Sequence, residues 1–132
     1  MSTLKVNRIE PRTGGTIEIV GFAPETQLKA WVNFNGTGTV AIRESLNVSS
    51  ITDLDAGYYQ LNFSTALVDA NYSAIAVAAP SGDNTNPKRC NVFGNNATNP
   101  SYVAPTVNSF TIITSANAGL SDAPALCVAV FR

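Results

Sequence analysis

The chain contains no histidine in its 132 residues. That removes Ser–His–Asp and Cys–His nucleophiles, and with them the commonest metal ligand. Charge is scarce too. Lys, Arg, Asp and Glu make up 13% of the chain, against the ~25% usual for soluble domains. The net charge is −1. Phosphate neutralisation needs clustered Lys and Arg, so this balance argues against a nucleic-acid partner. No apolar run of about 18 residues occurs, so no segment reads as a membrane span or membrane insertion. The opening MSTLKVNRIEP lacks the apolar core of a secretory signal. Only two cysteines are present, Cys90 and Cys127, and they lack CxxC spacing. A structural zinc site is not expected, and free thiols are favoured over a disulfide.

The residues that are abundant are Asn, Thr, Ser, Val and Ala, which favour strands and turns over helices. Residues 28–48, LKAWVNFNGTGTVAIRESLNV, show this most clearly. Leu28, Ala30, Val32 and Phe34 alternate with Lys29, Trp31 and Asn33, the period of a half-buried strand. Asn35-Gly36-Thr37-Gly38 tolerates the positive φ of a tight hairpin, and Val40 and Ile42 resume the alternation. Further strands are expected over 49–54, 58–63, 72–79, 89–93, 107–114 and 125–131. Residues 66–71, ALVDAN, are a connector with room for one helical turn. In 72–79 the small Ala74, Ala76 and Ala78 share a face, and Ile75 and Val77 share the other. The fold class read from this pattern is all-β, an antiparallel β-sandwich knob over residues 23–132. Residues 1–22 differ. Their two short apolar runs bury too little surface to order themselves alone. They read as an N-terminal stalk or attachment segment that docks on the body or on other copies.

The chemistry-bearing residue types are thinly spread. Asp53 and Asp55 flank a turn and suit local backbone bonding better than a Ca²⁺ site. Gly36-Thr37-Gly38 lacks the Lys-Ser/Thr of a phosphate-binding loop. No catalytic residue, metal site or cofactor emerges, and the chain reads as a non-enzyme. Trp31 lies opposite the expected inward face of its strand. It is either part of a strand buried on both sides or an anchor at a subunit interface, where Trp is enriched. The polar stretch 80–105 carries Asn84, Asn86, Lys88, Arg89, Asn95, Asn96 and Tyr102. Amide, aromatic and cationic groups of this kind suit recognition of a carbohydrate or surface polymer; the plainer reading is a solvated loop.

Three pieces, AWVNFNGTGTVAIRESLNVSSITD (30–53), GYYQLNF (57–63) and DANYSAIAVAA (69–79), resemble a domain of bacteriophage tail-fibre proteins, notably from phages of cyanobacteria and other aquatic bacteria. STLKVNRIE with TGGTIEI is similar to the short stalk repeat that precedes such domains. The resemblance is strong over about half the chain and weak at its start. It implies a virion structural protein that forms a homotrimer. Three N-terminal segments would then bury Leu4, Val6, Ile9, Ile17 and Ile19 about a threefold axis. Expected partners are other virion tail or baseplate proteins, with a host surface glycan at the distal loops. A capsid decoration or tail adaptor without receptor contact is the alternative. A polysaccharide depolymerase with paired carboxylates is the enzymatic one, and the sparse acidic residues argue against it.

Overall fold

Alternation along the strands decides which side chains meet. The computed structural model describes residues 27–80, 88–95, 101–116 and 119–132. The expected attachment segment 1–22, with Leu4, Val6, Ile9, Ile17 and Ile19, lies outside them. Nine strands form among the described residues: β1 (Leu28–Asn35), β2 (Ala41–Leu46), β3 (Val48–Asp55), β4 (Tyr58–Phe63), β5 (Ser73–Ala78), β6 (Arg89–Val92), β7 (Ser109–Ala116), β8 (Gly119–Leu120) and β9 (Leu126–Phe131). They make two antiparallel sheets. One has the order β2-β1-β9-β5; the other has β3-β4-β7-β6, with β8 also paired to β7. The all-β, two-sheet expectation holds. The helical turn allowed for 66–71 does not form; that stretch is irregular, with Asp69 Oδ1 accepting the Asn71 N–H at 2.8 Å. An Asx turn there competes with the helix.

The core lies between the sheets. Ala30, Val32 and Phe34 of β1 meet Leu126, Val128 and Val130 of β9 on one side, and Tyr59, Leu61, Phe110 and Ile112 form the other. Ala74, Ala76 and Ala78 of β5 pack against this core. Their small size lets β5 approach the second sheet closely, as their shared face suggested. An aromatic cluster fills one end. Phe110 lies 5.6 Å from Phe93, 5.8 Å from Phe63 and 5.8 Å from Tyr72, ring centre to ring centre. Tilted and edge-on pairs of this kind contribute about 0.5–1.5 kcal/mol each beyond area burial.

Two polar devices join the sheets. Asn47 is the only residue between β2 in one sheet and β3 in the other. It turns the chain with φ 54°, a conformation Asn tolerates better than most residues. Its amide nitrogen donates to the carbonyls of Lys29 and Thr65 at 3.3 and 3.1 Å, and its Oδ1 accepts the Thr65 N–H at 2.8 Å. At the opposite end of the sandwich stands the fully buried Tyr59. Its hydroxyl lies 2.8 Å from Asp122 Oδ1 and 3.0 Å from the Gly36 carbonyl. The same carboxylate oxygen accepts the Gly57 N–H at 2.7 Å. Gly36 is needed for space: a Cβ there would meet the Tyr59 hydroxyl at 2.6 Å and Leu126 Cδ1 at 2.8 Å. Gly38, at φ 63°, supplies the hairpin's left-handed residue.

Asn47→Gly keeps the backbone and loses three side-chain bonds. It should cost about 1–3 kcal/mol in urea unfolding. Asn47→Ala should cost about 1 kcal/mol more, from left-handed strain; equal stability for all three chains would refute the corner role. Burial, then the hydrogen bond to Asp122, raises the Tyr59 pKa above the ordinary 10.0. The neutral phenol is therefore favoured in the fold. Its contribution is whole below pH 10 and declines as pH rises above that value. Tyr59→Phe should flatten the alkaline fall of thermal midpoint above pH 10, while lowering neutral-pH stability by about 1 kcal/mol.

Candidate functional site

The outer face of the four-stranded sheet is the first candidate surface. Register places Leu46, Trp31, Ala129 and Ile75 in one row across β2, β1, β9 and β5. The next row is Glu44, Asn33, Cys127 and Val77. All point away from the core because Val32, Val128 and Ala76 between the rows point in. Trp31, Ile75, Val77, Cys127 and Ala129 line an open groove of about 290 Å³. The floor is small and the walls are large. Ile75 and Val77 remain 61% and 60% exposed, uncovered by the other described residues. Trp31 is half-buried against its sheet neighbours. The polar flank is fixed by Arg43, which donates to Asn33 Oδ1 at 3.0 Å and to the Pro124 carbonyl at 2.6 Å. Cys90 and Cys127 are both free thiols. Cys127 is exposed on this face; Cys90 is partly buried, and burial pushes its pKa up to about 11.

The second candidate surface is the set of polar residues in 80–105, and the fold divides it. Asn84, Asn86 and Asn96 lie outside the described residues. Arg89 pairs with Ser115 on β7, and Lys88 Nζ donates to Ser121 Oγ. These two cations therefore sit at the end of the sandwich that holds Gly57, Asp122 and the Gly36 turn. Asn95 and Tyr102 sit at the other end. There Gly94 bridges Tyr102, and Thr111 Oγ1 donates to the Gly94 carbonyl at 2.7 Å. Asn95 closes its loop by donating to Ser101 Oγ at 2.8 Å. Tyr102 is 71% exposed and rests edge-on against Phe93, 6.4 Å between ring centres. Thr111 and Ser115 are four residues apart on one strand, which puts about 13 Å between the two groups.

The described chain begins at one end of the sandwich. Residues 1–26 lead into the sandwich at Gln27, whose carbonyl accepts the Arg132 N–H at 3.2 Å. Leu28, Phe131 and Ser73 lie in register at that end. Ser73 follows Tyr72, whose ring packs on Phe93. Asn95 and Tyr102 thus share the entry end, and Lys88 and Arg89 occupy the far one. No family model, curated protein or solved structure matches the chain. No group of three or more His, Cys, Asp or Glu able to hold a metal occurs among the described residues. Asp55 serves its turn, accepting the Ala56 N–H at 2.8 Å. Sequence reasoning missed Asp122, which lies in a featureless loop; its role depends on Tyr59, 63 residues away.

Phe93 and Tyr102 should separate in a stability scan. Phe93 packs on two rings besides Tyr102, those of Tyr72 and Phe110, so Phe93→Ala should cost about 3 kcal/mol. Tyr102→Ala should cost about 0.5 kcal/mol or less, as for an exposed side chain. Comparable losses in chemical denaturation would place Tyr102 in the structural cluster and end its candidacy as a contact residue.

Proposed function

We propose that the chain is a non-catalytic structural and binding subunit of a phage virion, a homotrimeric tail fibre. Residues 1–22 attach it to the particle, and the end of the sandwich remote from Gln27 contacts the host surface. The observation that carries this reading is the uncovered apolar face around Trp31. Isolated exposed apolar residues are ordinary, but a contiguous patch marks an association site. Here Leu46, Ile75 and Val77 are 48%, 61% and 60% exposed on the same face of one sheet. A chain with so little surface charge has few other means of keeping that face from unwanted contacts. The tail-fibre resemblance of residues 30–79 supplies the class of assembly.

The placement of the loop residues refines the receptor set. For a fibre attached through its N-terminal segment, Lys88 and Arg89 lie at the distal end. Threefold presentation of weak contacts there raises avidity through effective concentration. Asn95 and Tyr102, beside the point of attachment, suit contact with the rest of the particle.

Light scattering of the full chain should give three times the 13.9 kDa chain mass; a monomer across the micromolar range overturns the fibre reading. Binding of that trimer to host cells or their extracted surface polysaccharide should fall at least tenfold on joint Lys88→Ala and Arg89→Ala substitution. The Tyr102→Ala chain should bind normally. The reverse pattern would place the receptor contact at the entry end.

A further inference from the structure

The turn after β1 carries the single Asn-Gly pair of the chain, Asn35-Gly36. Such a pair is chemically labile in a mobile backbone. The Gly36 amide loses its proton, and its nitrogen attacks the side-chain carbonyl carbon of Asn35. The side-chain nitrogen leaves as ammonia, and a five-membered succinimide closes between the two residues. Water then opens the ring at either carbonyl, leaving aspartate or isoaspartate at position 35. Water is the only co-reactant. Glycine suits the step because it has no Cβ to hinder the approach and the most backbone freedom.

In the fold both reacting groups are held. The Gly36 N–H donates to the Ala123 carbonyl at 3.0 Å, and both residues are buried. The Gly36 carbonyl accepts the Tyr59 hydroxyl at 3.0 Å. The Asn35 carboxamide is bonded as fully. Its Nδ2 donates to the Thr37 and Thr39 carbonyls at 2.6 and 3.3 Å. Its Oδ1 accepts the Thr37 hydroxyl at 2.8 Å and the Thr37 N–H at 3.3 Å. Ring closure requires the Gly36 nitrogen to give up its proton and turn from Ala123, which strands a buried carbonyl. It also requires the carboxamide to leave Thr37 and swing back over its own peptide.

The product does not fit the turn. A carboxylate at position 35 has no hydrogen to donate to the Thr37 and Thr39 carbonyls. Isoaspartate adds a carbon to the main chain just before Gly36. That moves Gly36 in a place where a Cβ would already meet the Tyr59 hydroxyl at 2.6 Å and Leu126 Cδ1 at 2.8 Å.

We propose that Asn35 is a site of spontaneous deamidation gated by the fold. It is locked while Gly36 stays bonded to Ala123 and Tyr59, and it reacts in any chain whose turn stays open. The modification collects in chains that have lost this end of the sandwich and bars their return to the native turn.

Trypsin releases residues 30–43, which hold both Asn33 and Asn35, so one peptide reports the reaction and its control. The full-length protein is kept at mildly alkaline pH, native and in guanidinium chloride, and isoaspartate is read by mass spectrometry. Asn35 should convert on the order of tenfold or more faster in the unfolded chain than in the native protein. It should also outpace Asn33, which precedes Phe34. Tyr59→Phe frees the Gly36 carbonyl and should speed the native reaction severalfold, with the rate in denaturant unchanged. Asn47→Gly, a loss at the opposite end, should speed it less. Asn35→Asp should unfold at a lower denaturant concentration than the unsubstituted chain. Equal rates in native and unfolded protein overturn the lock, and absence of isoaspartate at position 35 in denaturant overturns the lability. Equal acceleration by Tyr59→Phe and Asn47→Gly overturns the gate at Gly36, because the turn then opens only with the whole sandwich. An unchanged midpoint for Asn35→Asp overturns the bar to return.

Discussion

The sandwich depends on one buried phenol. Tyr59 stands fully enclosed between the sheets, and a hydroxyl there costs free energy unless it finds a partner. It finds two, the Asp122 carboxylate and the Gly36 carbonyl. Through them a strand of one sheet is tied to the hairpin turn of the other and to the loop that leads into β9. Asp122 also holds the Gly57 N–H of the β3–β4 turn. The ring contributes as well, edge-on to Phe34 at 5.4 Å. Register follows from this tie. A one-residue slip of β4 would turn Tyr59 outward and strand the polar groups around it. Asn47 performs the corresponding task at the other end, where the chain changes sheets without a loop.

Much of this architecture was legible because it rests on period-two alternation. Tyr58–Phe63, Leu28–Asn35 and the alternating faces of β5 and β9 could be read directly, since each residue's neighbours in sequence report its face. Partners distant in sequence could not. Nothing near Asp122 announces that it will meet Tyr59, and nothing in RESLNVSS marks Asn47 as a corner rather than one more polar strand residue. The candidate surfaces show the same limit. Trp31 could be assigned to the outer face from its own strand. The patch around it required β5 and β9 to be placed beside β1. Lys88, Arg89, Asn95 and Tyr102 are close in sequence, so they read as one loop; β6 runs between them and carries them to opposite ends.

The shortage of charge and the uncovered face belong together. A sheet with one face on a core ordinarily shows polar residues on the other. Here β5 and β9 place Ile75, Val77, Cys127, Ala129 and Phe131 there instead, with Ser73 beside Phe131, and most of the polar groups of that face are on β1 and β2. Solubility is then carried by neutral Asn, Ser and Thr on the second sheet, where Asn62 Nδ2 donates to Ser50 and Thr52 hydroxyls at 3.1 and 3.0 Å. The two sheets are thus unequal: one presents hydrogen-bonded amides and hydroxyls to water, and the other presents hydrocarbon.

The entry of the chain at Gln27 also has a mechanical meaning. β1 is an inner strand, bonded to β2 on one side and β9 on the other. Tension applied through the preceding residues would pull β1 along its own axis. Its ladder bonds lie across that axis, so they are loaded in shear, many at once on both flanks, and cannot be peeled one after another. The Gln27–Arg132 backbone bond sits where such a load first arrives. A strand held this way resists a pull along its own axis.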